Sequence, residues 1–137
     1  MSEQRRPYRS RRAWLEFTFF TPDGFRADVN LVADTACPFD FILAPDVYDL
    51  LARSPLGIIP NTNYGDLPSG VVLLYMPEIG LVEFVRALRS DLVGEVLERE
   101  HPTFAGMVGL PILRLGEYGG NATDFWFRYP TPTPPSP

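Results

Sequence analysis

The sequence contains no lysine; all 12 of its basic residues are arginines. Cysteine and histidine occur once each, as Cys37 and His101. A single cysteine excludes an internal disulfide and fits a reducing compartment. His101 stands beside Glu98 and Glu100 with no second histidine or cysteine near it, which is too few ligands of the right type for a metal site. It is read as an exposed loop histidine, and no metal or cofactor is expected. Cys37 has no histidine close in sequence to act as its base, so it is read as a buried, inert thiol. Apolar runs of membrane-spanning length are missing, and no charged-then-apolar leader opens the sequence. These absences together predict a cytoplasmic protein with no membrane partner.

What is present is uneven. The 137 residues suit one domain with a real core. Arg5, Arg6, Arg9, Arg11 and Arg12 crowd the first twelve residues against Glu3 alone, so residues 1–12 read as a basic, disordered arm. The remainder is strongly acidic, which argues against a nucleic-acid partner. At the other end, residues 130–137 ("PTPTPPSP") read as a proline-rich, extended, disordered tail. The folded domain is therefore expected over 13–129.

Within it, short β-like runs dominate. "WLEFTFF" (14–20), the turn "TPDG" (21–24) and the run 25–33 predict a hairpin. One helix is expected from Pro45, with Pro45 at its first position, Asp46 and Asp49 at its positive end, and Val47, Leu50 and Leu51 as its apolar stripe. "NTNYGDLPSG" (61–70) is too rich in Asn, Gly and Pro for a core and reads as a long hairpin tip. "PEIG" (77–80) is a turn, and 81–88 a strand. The segment 90–98 fits either a strand or a helix, and it is read as a strand because Gly94 interrupts it. "MVGLPIL" (107–113) is an apolar run broken by Gly109 and followed by a short helix, and "TDFWFRY" (123–129) is a last aromatic strand. Asn121 opens a glycosylation-type triplet that carries no meaning without secretion. The class is mostly β, a small closed barrel or folded sheet with one or two short helices.

Two strings stand out together: "LVADTA" (31–36), which places Asp34 directly after a strand, and "MVGLPIL", with two apolar residues and then Gly109 late in the chain. Their order resembles the retropepsin-like aspartic proteases, which carry an Asp-Thr/Ser-Gly motif and a later hydrophobic-hydrophobic-Gly motif. The likeness runs through residues 14–129: a hairpin before the aspartate, apolar residues and a helix after it ("FILAPDVYDLL"), a flexible hairpin, further strands and a closing strand. The resemblance implies a single-domain retropepsin-like barrel acting as a homodimer, joined partly through its terminal strands, on a peptide or protein substrate. It implies that Asp34 is catalytic and that Thr35 ties the two active-site loops together, with Ala36 completing the triplet. Met107, Val108 and Gly109 form the later motif, in which Gly109 lets the chain pass close behind the Asp34 loop. The flap would be the 61–70 hairpin, with Tyr64, Gly65, Asp66 and Gly70 as its candidates.

The family's chemistry would then be general acid–base hydrolysis at two facing carboxylates that share a proton. Ala36 stands where the family has glycine, and Pro38 where its viral members carry an acid that helps to hold the substrate's main chain. Those two departures favour a rival reading, a protease-like dimerisation or peptide-binding module without activity. In a third reading the chain is an unrelated β-barrel binding protein and Asp34 is a turn residue.

Overall fold

The computed structural model describes residues 2–130; the tail expected over 130–137 lies, after Pro130, outside the described residues. Ten strands and three helices follow in order: β1 (Glu3–Pro7), β2 (Trp14–Phe20), β3 (Arg26–Ala33), β4 (Phe41–Leu43), α1 (Pro45–Leu51), β5 (Pro55–Thr62), β6 (Gly65–Met76), β7 (Leu81–Arg89), α2 (Asp91–Glu100), β8 (Phe104–Val108), α3 (Leu110–Leu113), β9 (Glu117–Gly120) and β10 (Asp124–Arg128). "PEIG" becomes a single 3-10 turn, Pro77–Ile79, closed by Gly80 in the left-handed conformation.

Six strands close on themselves in the order β2-β3-β8-β4-β7-β6, with β6 pairing back onto β2. The predicted hairpin is there, Trp14 opposite Val32 through Phe20 opposite Arg26. Two strands consecutive in sequence, β3 and β4, are held apart by β8, which runs parallel to β3 and antiparallel to β4. Leu15, Phe17, Phe19, Leu31, Phe41, Leu43, Leu74 and Val108 fill the barrel. Phe41 meets Phe17 and Phe19 edge-on, with ring centres 5.7 and 5.1 Å apart. Val32, Ile42, Leu88 and Met107 point outward into a second cluster under α2. Burial on both faces explains why "LVA", "FIL" and "MV" read as continuous apolar runs rather than alternating ones.

Three expectations are corrected. The segment 90–98 is a helix, because the Ser90 hydroxyl caps it by accepting the Val93 N–H at 3.1 Å. Gly94 is there for packing, since a β-carbon on it would press on Ala44 and Pro45 of the α1 entry at 3.0–3.1 Å. In α1 the stripe is narrower than its spacing suggests, with Leu51 buried and Leu50 exposed.

The arm is also ordered. Strand β1 pairs with β10, and β10 with β9, in a small three-stranded sheet. The two terminal strands thus pair with each other within one chain. The Gln4 amide bridges both backbone groups of Glu16, accepting its N–H and donating to its carbonyl at 2.9 Å each, so a side chain continues the pairing of β2. Arg6 and Arg9 lie over the Trp14 ring, 5.2 and 4.0 Å from its centre. The arm then turns back through Ser10 and Arg11, both with positive φ (51° and 63°).

Candidate functional site

Asp34 is the first residue beyond β3, half-buried where the barrel wall opens into a loop. Its N–H donates to the Val108 carbonyl at 3.0 Å, and its carbonyl accepts the Cys37 N–H at 3.1 Å. The loop is also bound to the end of β8 from the far side. Gly109 N–H donates to Asp40 and Leu110 N–H to Cys37, at 3.0 and 2.9 Å. A β-carbon at Gly109 would run into the carbonyl oxygens of Phe39 and Cys37. The two sequence motifs are therefore brought into direct backbone contact, and only glycine fits the crossing.

The Asp34 carboxylate is oriented locally. Its Oδ1 accepts the Ala36 N–H at 2.9 Å, while Thr35 and Ala36 sit exposed on the rim. The non-glycine residues with positive φ are Ser10, Arg11 and Asn61 among the described residues. Ala36 thus has an ordinary L-residue backbone, and its methyl group faces solvent. Cys37 is buried and its thiol pKa is pushed up by burial. Asp40, half-buried beside Arg86, is likewise raised by burial.

The β5–β6 hairpin reaches over this loop. Its tip is Asn63–Tyr64, tightened by Thr62, whose hydroxyl donates to the Gly65 carbonyl at 2.6 Å and accepts the Tyr64 N–H at 3.1 Å. Asp66 steadies the tip by accepting the Asn61 N–H at 2.9 Å, and Gly65 takes φ +95°. Tyr64 turns inward and its hydroxyl donates to Met107 Sδ at 3.8 Å. Gly70 does not belong to this tip: it lies down the strand against Tyr48 and Ser54, at the foot of α1. Between loop and tip lies a cleft of about 420 Å³ lined by Asp34, Ala36, Phe39, Ile42, Asn61 and Tyr64.

On the other side of Asp34 a smaller cavity of about 140 Å³ is walled by Leu92, Val96 and Leu97 of α2, by Met107 and Tyr64, and by Arg12. Arg12 is locked onto Glu100, with Nε and Nη2 each 2.7 Å from a carboxylate oxygen. That pair raises the Arg12 pKa and lowers that of Glu100. The Tyr64 hydroxyl is raised, first by burial and then by the charge of Asp34.

Neither Arg12 nor the α2 wall follows from the sequence reading. The arm is read there as disordered and α2 as a strand, and the separation of 88 positions between Arg12 and Glu100 leaves no local signal. His101 ends α2 as its C-cap, and its Nδ1 accepts the Thr103 N–H at 3.2 Å. Among the described residues no cluster of His, Cys, Asp or Glu could hold a metal ion, and no helix is long and apolar enough to cross a membrane.

No protein-family model, curated protein or solved structure matches this chain.

Proposed function

We propose that the protein is a retropepsin-like aspartic endopeptidase, active as a homodimer in which Asp34 of each copy forms half of the catalytic dyad. The observation that carries this reading is the seating of Asp34. Its loop is fixed against Gly109 by backbone bonds, a hairpin tip roofs it, and the cleft between them is of peptide-binding size. With Oδ1 occupied by the Ala36 N–H, Oδ2 is the oxygen left to address a water or the carboxyl of a second copy. Two such carboxyls at close range hold one proton between them. The ionised member takes a proton from the attacking water while the protonated member hydrogen-bonds the scissile carbonyl. Thr35, exposed on the rim beside Asp34, is available to a second copy across the dimer axis.

The second reading, a peptide-binding or dimerisation module without activity, is favoured by Pro38, which removes a main-chain N–H donor from the cleft lining. Ala36 supports it less, since its backbone tolerates the methyl group.

Incubation with a diverse peptide pool from pH ~3.5 to ~7, a range bracketing dyad behaviour, separates the two. Cleavage by the unsubstituted chain that is lost in Asp34→Asn is the expected result. A folded dimer that cuts nothing establishes the module instead. A stable monomer at micromolar concentration, measured by sedimentation, removes the dyad altogether.

A further inference from the structure

The arginine arm ends in a hook. Arg9 and Arg12 exchange backbone hydrogen bonds at 3.1 and 2.9 Å around a two-residue turn, Ser10–Arg11. Both turn residues have positive φ, a conformation costly for side-chain-bearing residues. The hook is fastened to the far side of the site: Ser10 Oγ donates to the Glu100 carbonyl at 2.6 Å, and Arg9 Nη1 to Thr103 Oγ1 at 3.0 Å. Strain of this kind persists where the surroundings over-determine it, and here it delivers one side chain, Arg12, to the cavity that also contains Asp34 and Tyr64.

Arg12 is held rigidly yet incompletely used. Nε and Nη2 face Glu100, and among the described residues Nη1 has no hydrogen-bond partner. The side chain keeps 44% of its exposure. Its partner carboxylate and Asp34 already give the cavity a surplus of negative charge, so a further anion is disfavoured there. A neutral acceptor suits the spare N–H groups, and an extended peptide offers one at every residue, its carbonyl oxygen. On the opposite side of Asp34 the loop has lost a donor, since Pro38 has no N–H.

We propose that Arg12 is a substrate-holding residue, whose Nη1 N–H groups bind a main-chain carbonyl of a peptide lying across Asp34, with Glu100 fixing the guanidinium in place. This inference rests on the peptide-binding reading of the Asp34 cleft, shared by the endopeptidase and the inactive module, and it names the class of contact: backbone rather than an acidic side chain.

The test is retention of a randomised octapeptide pool by the full-length chain carrying Asp34→Asn, which prevents turnover. Three further substitutions, each added to that background, alter the same Arg12–Glu100 pair but differ in the donors they leave. Arg12→Gln is expected to lower retention about tenfold, the scale of one hydrogen bond from a charged donor. Arg12→Lys is expected to recover part of the loss, and Glu100→Gln, which loosens the guanidinium but keeps its donors, to lower retention by clearly less than Arg12→Gln does. A structural role alone would weaken Arg12→Gln and Glu100→Gln equally, and that result overturns the proposal. So does undiminished retention by Arg12→Gln. If the Asp34→Asn chain itself retains no peptide, the peptide-binding reading falls and the role of Arg12 falls with it, an outcome distinct from the other two.

Discussion

At the scale of single residues, the site depends on one atom that is absent. Gly109 crosses behind the Asp34 loop with its α-carbon facing the Phe39 and Cys37 carbonyls. A methyl group there has no flexible side chain to displace, only backbone, of which the Cys37 carbonyl is itself held by the Leu110 N–H. Gly109→Ala is expected to cost about 3 kcal/mol of stability, measured as a fall in the urea midpoint with unchanged slope. Gly57, in the exposed β5 strand, has nothing within reach of a β-carbon but takes φ +101°; its constraint is conformational. The Asp34–Gly109 crossing was expected only from a resemblance carried by two short strings and their order. The roles of Gln4 and Arg12 were not, since each acts on a residue far away in sequence: Glu16 and Tyr129 for Gln4, Glu100 for Arg12.

At the scale of elements, local grammar decided what could be read. The β2–β3 hairpin announced itself through "TPDG", whose Thr21 accepts the Phe25 N–H on its hydroxyl at 3.0 Å, and α1 through Pro45. Helix α2 was concealed by Gly94, which reads as an interruption until its contact with Ala44 and Pro45 is seen. The arm was concealed by composition: five arginines look solvated, but Trp14 and Glu100 give three of them partners. The hook also carries an expectation of its own. A tight turn with positive φ at both central residues favours Asn-Gly. Arg11→Gly, which keeps the Ser10 bond to Glu100, should therefore raise stability by about 1 kcal/mol while leaving Arg12 seated, and thermal unfolding reads the gain.

At the scale of the whole molecule, the barrel and the small β1–β10–β9 sheet share one core. Phe127 touches Phe17, with ring centres 6.3 Å apart, and Tyr129 meets Phe127 edge-on. Tyr129 is buried at this junction, where its hydroxyl accepts from the Gln4 amide at 2.9 Å. Burial, with the charge of Glu78 adding to it, pushes its pKa up to about 12. The folded state thus holds this proton more tightly than the unfolded chain, whose tyrosine titrates near 10. The stabilisation is fully present below about pH 10 and is lost as pH rises through the folded value. Global unfolding free energy is expected to fall between about pH 10 and 12, and Tyr129→Phe to flatten that limb while losing the Gln4 bond.

The roofing hairpin also ends the sheet, and so leaves an edge open. Strand β5 is the last in its sheet, and it carries Leu56 and Ile58 on its exposed surface. A free apolar edge is a template on which a second chain can add strands without limit, the first step towards insoluble fibres. Two features oppose that growth. Pro55 and Pro60 have no N–H to offer a newcomer, and the pairing with β6 slips at both places, between Pro55 and Gly57 and between Ile59 and Thr62. Pro55 and Pro60 thus shield an edge that the exposed Leu56 and Ile58 would otherwise offer for strand addition.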